Sequence, residues 1–197
     1  MRYLFAVLLL FGLVGISVGA DESTIVVRNF TLVPSDKLSP EGEQFVVQEI
    51  KSHNYKSTNP NEIAERVRYG FQRLGYFKVV AHDPALTVVS RDNGSEVADV
   101  SVKVDVGQIY RLKTIAFTGV NDTNPSELRS QFPIADGDIL DLDKIAAGLE
   151  GLRRVYVAKG YPNFSPVPDT EIDEKAHVIS LVVDLDPGVR QADSAQR

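Results

Sequence analysis

Cysteine is absent from the 197 residues, and its absence excludes a disulfide, a thiolate metal site and a cysteine nucleophile. The fold must therefore stand on its apolar cores. Histidine is scarce: His53, His82 and His177 lie far apart and share no ligand or nucleophile spacing with other residues, so they read as solvated surface side chains. No glycine-rich phosphate loop follows a strand, and no serine stands in a nucleophile-elbow pattern. Catalysis has no visible instrument, no cofactor or metal is called for, and the expectation is a protein that is not an enzyme. Positive charge is also short, with 21 Lys and Arg against 27 Asp and Glu for a net charge of −6. Such a balance repels nucleic acid phosphates and anionic headgroups and helps keep an exported chain in solution. Nor do strands of ~10 alternating residues recur at least eight times, as a membrane barrel requires.

What is present begins with an apolar run, Leu4 to Val14, behind Arg2, the only charge before Asp21. Small residues follow, ending in Val18-Gly19-Ala20. This pattern is a secretory signal peptide with a cut expected between Ala20 and Asp21. The competing reading is an uncleaved anchor, since Tyr3 to Ala20 approaches the ~20 residues that span a bilayer; Gly12, Gly15 and Gly19 dilute it. In either case the remainder leaves the cytoplasm. Cleavage removes Arg2 and takes the net charge to −7.

The remainder holds one pattern twice. Asn59-Pro60 and Asn124-Pro125 each set a capping side chain before a proline at a helix start. After Pro60, Ile63, Val67, Gly70 and Leu74 share one face and Glu62 stands where it can reach back to the cap. An earlier helix starts at Ser39-Pro40 and carries Phe45, Val46 and Ile50, although Gly42 weakens its first turn. In the second half, Leu128 and Phe132 line a short helix. Asp141 caps a longer one, with Leu142, Ile145, Leu149, Leu152 and Tyr156 on a buried stripe. Gly75 and Gly160 end the helices in left-handed caps. Val100 to Val106 and Ile179 to Leu185 alternate with period two, each behind a turn signal, Asp92-Asn93-Gly94 or Asp173-Glu174-Lys175, and a further extended stretch. Strands at Thr24 to Leu32 and Tyr110 to Thr118 open the two units. The Gly-Tyr pairs at 75–76 and 160–161 lie 85 residues apart and the closing segments differ by 81, a near-shared period that argues for a tandem repeat. The expected class is α+β: two β-α-α-β-β modules, each a three-stranded sheet with a helix pair on one face. Their bounds are 1–20 for the signal peptide, 21–107 and 108–188 for the modules, and 189–197 for a polar tail. No Gly-, Pro- or Ser-rich spacer separates the modules, which implies a stiff joint.

The second unit resembles a polypeptide-transport-associated (POTRA) domain over nearly its whole length. The stretches that carry the likeness are Ile115-Ala116-Phe117-Thr118-Gly119-Val120, Asp136-Gly137-Asp138-Ile139-Leu140-Asp141, Leu152 with Tyr156, Lys159-Gly160-Tyr161-Pro162 and Val183-Asp184-Leu185-Asp186-Pro187-Gly188. The first unit looks like a divergent member, keeping Leu74-Gly75-Tyr76-Phe77 and Val104 to Gly107 but lacking the glycine-aspartate stretch. The resemblance implies a periplasmic, non-catalytic interaction module of a Gram-negative-type envelope. Its partner would be an outer-membrane β-barrel of an assembly or secretion system, or an unfolded outer-membrane client polypeptide. The family's barrel is missing here, with nine residues after Gly188. If the apolar run stays as an anchor, the alternative is a structural or regulatory envelope protein, like division proteins that carry one such domain behind a membrane helix.

Two further features invite function. An unpaired sheet edge binds an extended polypeptide through main-chain hydrogen bonds. Pro166 and Pro168 blunt the penultimate strand of the second unit, whereas the first unit has only Pro84 there. The candidate polypeptide-binding edge is therefore Leu86, Thr87, Val88, Val89 and Ser90, which also reads simply as a strand. Asp136, Asp138, Asp141 and Asp143 invite a calcium reading. However, Ile139 and Leu140 interrupt the cluster and no closing glutamate follows, so a turn leading into an aspartate-stabilised helix N-terminus accounts for it better. Tyr76 and Tyr161 are expected to pack helix ends onto the sheets.

Overall fold

The computed structural model describes residues 23–119, 123–186 and 188. The Ala20–Asp21 cleavage site and the tail at 189–197 lie outside them. In chain order the elements are β1 (Thr24–Val33), α1 (Pro40–Lys51), β2 (Asn54–Lys56), α2 (Asn61–Arg73), β3 (Val80–Ala81), β4 (Ala85–Asp92) and β5 (Ser95–Asp105), then β6 (Arg111–Thr118), α3 (Pro125–Arg129), α4 (Leu142–Ala158), β7 (Val167–Asp173) and β8 (Val178–Asp184).

The fold is α+β, with the twofold repeat visible in its sheets. In the second half the order is β6-β8-β7, with β6 parallel and β7 antiparallel to the central β8. The first half keeps the same three-strand core, with β1 parallel and β4 antiparallel to β5, and adds two short strands. Here β2 pairs with the start of β1 and β3 with the end of β5. The last strand is central in each half because a βαα connection crosses over to a parallel neighbour while a tight hairpin joins antiparallel ones. Asn93 and Gly94, both at positive φ (44° and 78°), form the first hairpin's turn.

Alternation along β5 and β8 buries one face of each sheet. Ala98, Val100, Val102 and Val104 meet Val46, Ile50, Ile63, Val67 and Phe71 from α1 and α2. Ile179, Leu181 and Val183 meet Leu128, Ile145, Leu152 and Tyr156. Gly148 lets α4 settle on Phe132, since a Cβ there would lie 2.1 Å from the ring. Ser39, Asn124 and Asp141 cap α1, α3 and α4 as their sequence positions foretell. Asn59 does not cap α2. Pro60 takes helical dihedrals and is itself the cap residue, so Asn59 stands one position too early; its amide instead donates to Glu62 Oε1 at 3.0 Å. Tyr76 and Tyr161 pack on the two cores at the ends of their helices, against Phe71 and Tyr156.

The two halves meet at a built joint. Gly75, at φ +92°, accepts from Tyr110 N–H through its carbonyl at 2.8 Å, and a Cβ on it would lie 2.4 Å from Ile139 Cγ2. Phe77, from the first half, packs on the second core with its ring edge-on to Tyr110. A carboxylate is clamped at each of two further points: Asp143 takes Arg73 at 2.5 Å and Tyr69 Oη at 2.7 Å, while Glu174 takes Lys78 and, at 2.6 Å, Tyr110 Oη.

Candidate functional site

A sheet edge is a site only if its outward main-chain groups lack partners, so the direction of each group decides the matter. On β5, Lys103 C=O accepts from His82 N–H at 2.9 Å, which turns Lys103 away from β1. By alternation Ser101, Asp99 and Val97 also face β4. Their partners Ala85, Thr87 and Ser90 are spent on the ladder, whereas Leu86 and Val88 point their N–H and C=O outward. Among the described residues no hydrogen bond meets these groups. Register shifts between Val88 and Ser90, which leaves Val89 as the extra residue of a β-bulge. The candidate residues 86–90 thus form one continuous edge segment of β4. Leu86 packs against the first core at the rim, and Val88 and Val89 are 38% and 45% exposed.

On β8, Leu185 N–H donates to Thr118 C=O at 3.0 Å, so Leu185, Val183 and Leu181 face β6 while Asp184, Val182 and Ser180 face β7. The outward residues of β7 are therefore Pro168, Thr170 and Ile172. Pro168 has no N–H to offer, and Thr170 N–H is taken by Asp169 Oδ1 at 2.8 Å, which leaves Ile172, among the described residues, as the one free outward donor of β7. Two devices thus disarm this edge. The proline was legible in the sequence, although Pro166 falls just before the strand; the aspartate lock was not, because it depends on which side Thr170 faces.

Each carboxylate of the aspartate cluster has a structural task. Asp141 Oδ1 accepts from the N–H groups of Asp143 and Lys144 at the start of α4, and Asp138 Oδ2 accepts from Ala135 N–H at 2.9 Å. Asp136 pairs with Arg129, and Asp143 belongs to the joint. The histidines are dispersed: His53 lies at the end of α1 against Glu49 C=O, His82 pairs with Asp105 at 2.8 Å, and His177 meets the Tyr110 ring edge-on. The Asp105 carboxyl is held below its ordinary value by the hydrogen bond from His82, an exposed pairing on the rim. Within the described residues no group of three or more His, Cys, Asp or Glu is arranged to hold a metal ion, and no helix is long and apolar enough to cross a membrane.

Residues 110–188 match the family model POTRA, surface antigen variable number repeat. Among solved structures, the chain is similar to POTRA domains 3–5 of BamA from Haemophilus influenzae, with a TM-score of 0.62 at 14% identity, covering 86% of this chain and 68% of that one. It is similar also to BamA from Haemophilus ducreyi lacking POTRA domains 1–3, with a TM-score of 0.55 at 17% identity, covering 76% of this chain and 27% of that one. The first of these shares is larger than either half of the chain holds, so the likeness in fold runs across both halves. No curated protein matches the sequence.

Proposed function

We propose, from the premise that residues 110–188 are a POTRA domain and that the fold likeness extends over the residues before it, that this protein is a non-catalytic polypeptide-binding module of the periplasm. On this reading residues 1–20 are removed on export, the modules divide at 107/108, and 189–197 form a tail. The protein docks to or supports an outer-membrane β-barrel assembly or secretion system, and it holds extended polypeptide by strand addition at residues 86–90.

The observation that carries the reading is the contrast between equivalent edges. One is disarmed by Pro168 and Asp169, whereas the other keeps the outward N–H groups of Leu86 and Val88 beside exposed valines. Edge strands that have no use are ordinarily blunted; β7 carries both a proline and a side-chain lock on its outward donors, whereas β4 carries only the bulge at Val89 and keeps the outward donors of Leu86 and Val88.

The test exploits the ladder's alternation. Val88→Pro removes an outward donor while leaving the β4–β5 bonds in place, so the domain stays folded and binding of an unfolded client peptide is lost. Thr87→Pro, which deletes a ladder bond to Asp99, destabilises the sheet instead. Full client affinity in a folded Val88→Pro protein would rule out strand addition at this edge.

A further inference from the structure

The edge of β6 is occupied along only part of its length, and the chain itself shows how. Residues 137–140 run antiparallel beside its first residues. Gly137 N–H donates to Leu112 C=O at 2.7 Å, Leu112 N–H to Asp138 C=O at 2.9 Å, and Leu140 N–H to Tyr110 C=O at 3.0 Å, with a bridge between Arg111 and Ile139. This internal strand addition stops at Leu112, where Lys113 bulges out of register with β8. Beyond it, Thr118 C=O faces β8, where it accepts from Leu185. By alternation Ile115 and Phe117 turn their N–H and C=O outward, and among the described residues nothing bonds to them.

At this point the chain diverges from the edge and leaves an open groove of about 820 Å³. Its accessible lining is Phe117, Pro125 and Pro133 with Ser126 and Ser130, while Ile115, Phe132 and Ile134 lie nearly buried behind them. The charged side chain on its lining, Arg129, is turned onto Ile134 C=O at 2.7 Å and Asp136 at 2.9 Å, so the groove presents apolar surface and unpaired main chain without an uncompensated charge. Only an extended polypeptide supplies both complements, because a helix or a small apolar molecule has no main-chain groups free for the Ile115 and Phe117 edge.

The geometry points to a second polypeptide site: the groove between the β6 edge and α3 takes an extended, uncharged segment of a partner chain, with alternate apolar side chains against Phe117, Pro125 and Pro133, continuing the pairing that residues 137–140 begin. The free edge, residues 114–118, is roughly 16 Å long at ~3.3 Å per residue, enough for about five residues. This site is separate from the β4 edge and stands or falls independently of it.

The experiment uses the full chain carrying Val88→Pro, which silences the β4 edge, and a blocked octapeptide alternating valine and threonine with one central tryptophan. The protein has no tryptophan, so peptide fluorescence is read against a dark background. The expected result is saturable binding with slowed hydrogen exchange at the Ile115 and Phe117 amides. Ala135→Phe, which fills the groove from an exposed position, should weaken binding about tenfold. Unchanged exchange at both amides on peptide saturation overturns the proposal, and this readout does not depend on any groove variant folding. Protection that rises with protein concentration alone, without peptide, also overturns it, because a second copy then fills the groove.

Discussion

Replacing Gly75 by alanine tests whether the joint is a packed contact or merely a place where two halves touch. Gly75 sits at φ +92°, and the new Cβ would stand 2.4 Å from Ile139 Cγ2 and 3.2 Å from Ile109 Cγ2. A left-handed backbone costs an alanine roughly 1–2 kcal/mol, and forcing a neighbour to move typically adds about 1–3 kcal/mol. Gly107, nearby in the same joint region, separates the two effects, because its φ is +71° and a Cβ on it would meet nothing within 4 Å. Gly107→Ala thus suffers the backbone cost alone. Urea unfolding at constant m should place Gly75→Ala below Gly107→Ala by about 1–3 kcal/mol. Ile139→Ala, which removes the obstructing methyl, should restore most of that difference. Equal losses in the two glycine variants, or no rescue by Ile139→Ala, would show that the joint yields freely and that its close approach carries no energy.

Other expectations follow from the same geometry. Phe77→Ala should cost about 1–2 kcal/mol, less than the roughly 3–5 kcal/mol of a fully buried phenylalanine. The loss should appear as faster hydrogen exchange at Leu112 and Ile179, in the second core, although residue 77 precedes that half. The hydrogen bonds from Lys78 and then Tyr110 hold the Glu174 carboxyl below its ordinary value of 4.5. A lowered folded value means the clamp's contribution is complete above that ordinary value and is lost as pH falls through the lowered one; spin labels on engineered cysteines across the joint should report a broader distance distribution in acid, and Lys78→Ala should show part of that broadening at neutral pH. Replacing Pro168 by threonine and Asp169 by alanine together returns two outward N–H groups to β7. Sedimentation should then show concentration-dependent self-association that the parent protein lacks.

Much of the architecture is written in local residue chemistry. The period-two runs at 100–106 and 179–185 place the two central strands because each alternating residue chooses between core and water independently of the rest of the chain. Gly75 and Gly160 end helices because the left-handed cap favours glycine wherever it occurs. Ser39, Asn124 and Asp141 cap because the acceptor and the N–H groups it satisfies lie within three residues. Asn59 shows the limit of such reading, since one residue of offset, set by the dihedrals of Pro60, turns a cap into a side-chain contact. The short strands β2 and β3 were invisible for a related reason: two or three residues carry no periodicity, and only the neighbouring strand makes them strands.

The edges divide in the same way. That residues 86–90 form a strand, and that proline weakens its counterpart, were properties of the sequence by itself. Which N–H groups face outward, the lock of Asp169 on Thr170, the bulge at Val89 and the half-filled edge of β6 were decided only by tertiary structure, because the direction of a main-chain group is set by the register of a partner strand far away in the chain. The same holds for the joint. The missing spacer placed the two halves next to each other, but Asp143 and Glu174 came to bridge them only when folding carried them to Arg73 and Lys78, 70 and 96 residues away. Local composition determines which elements form, and long-range register determines which of their surfaces remain unsatisfied.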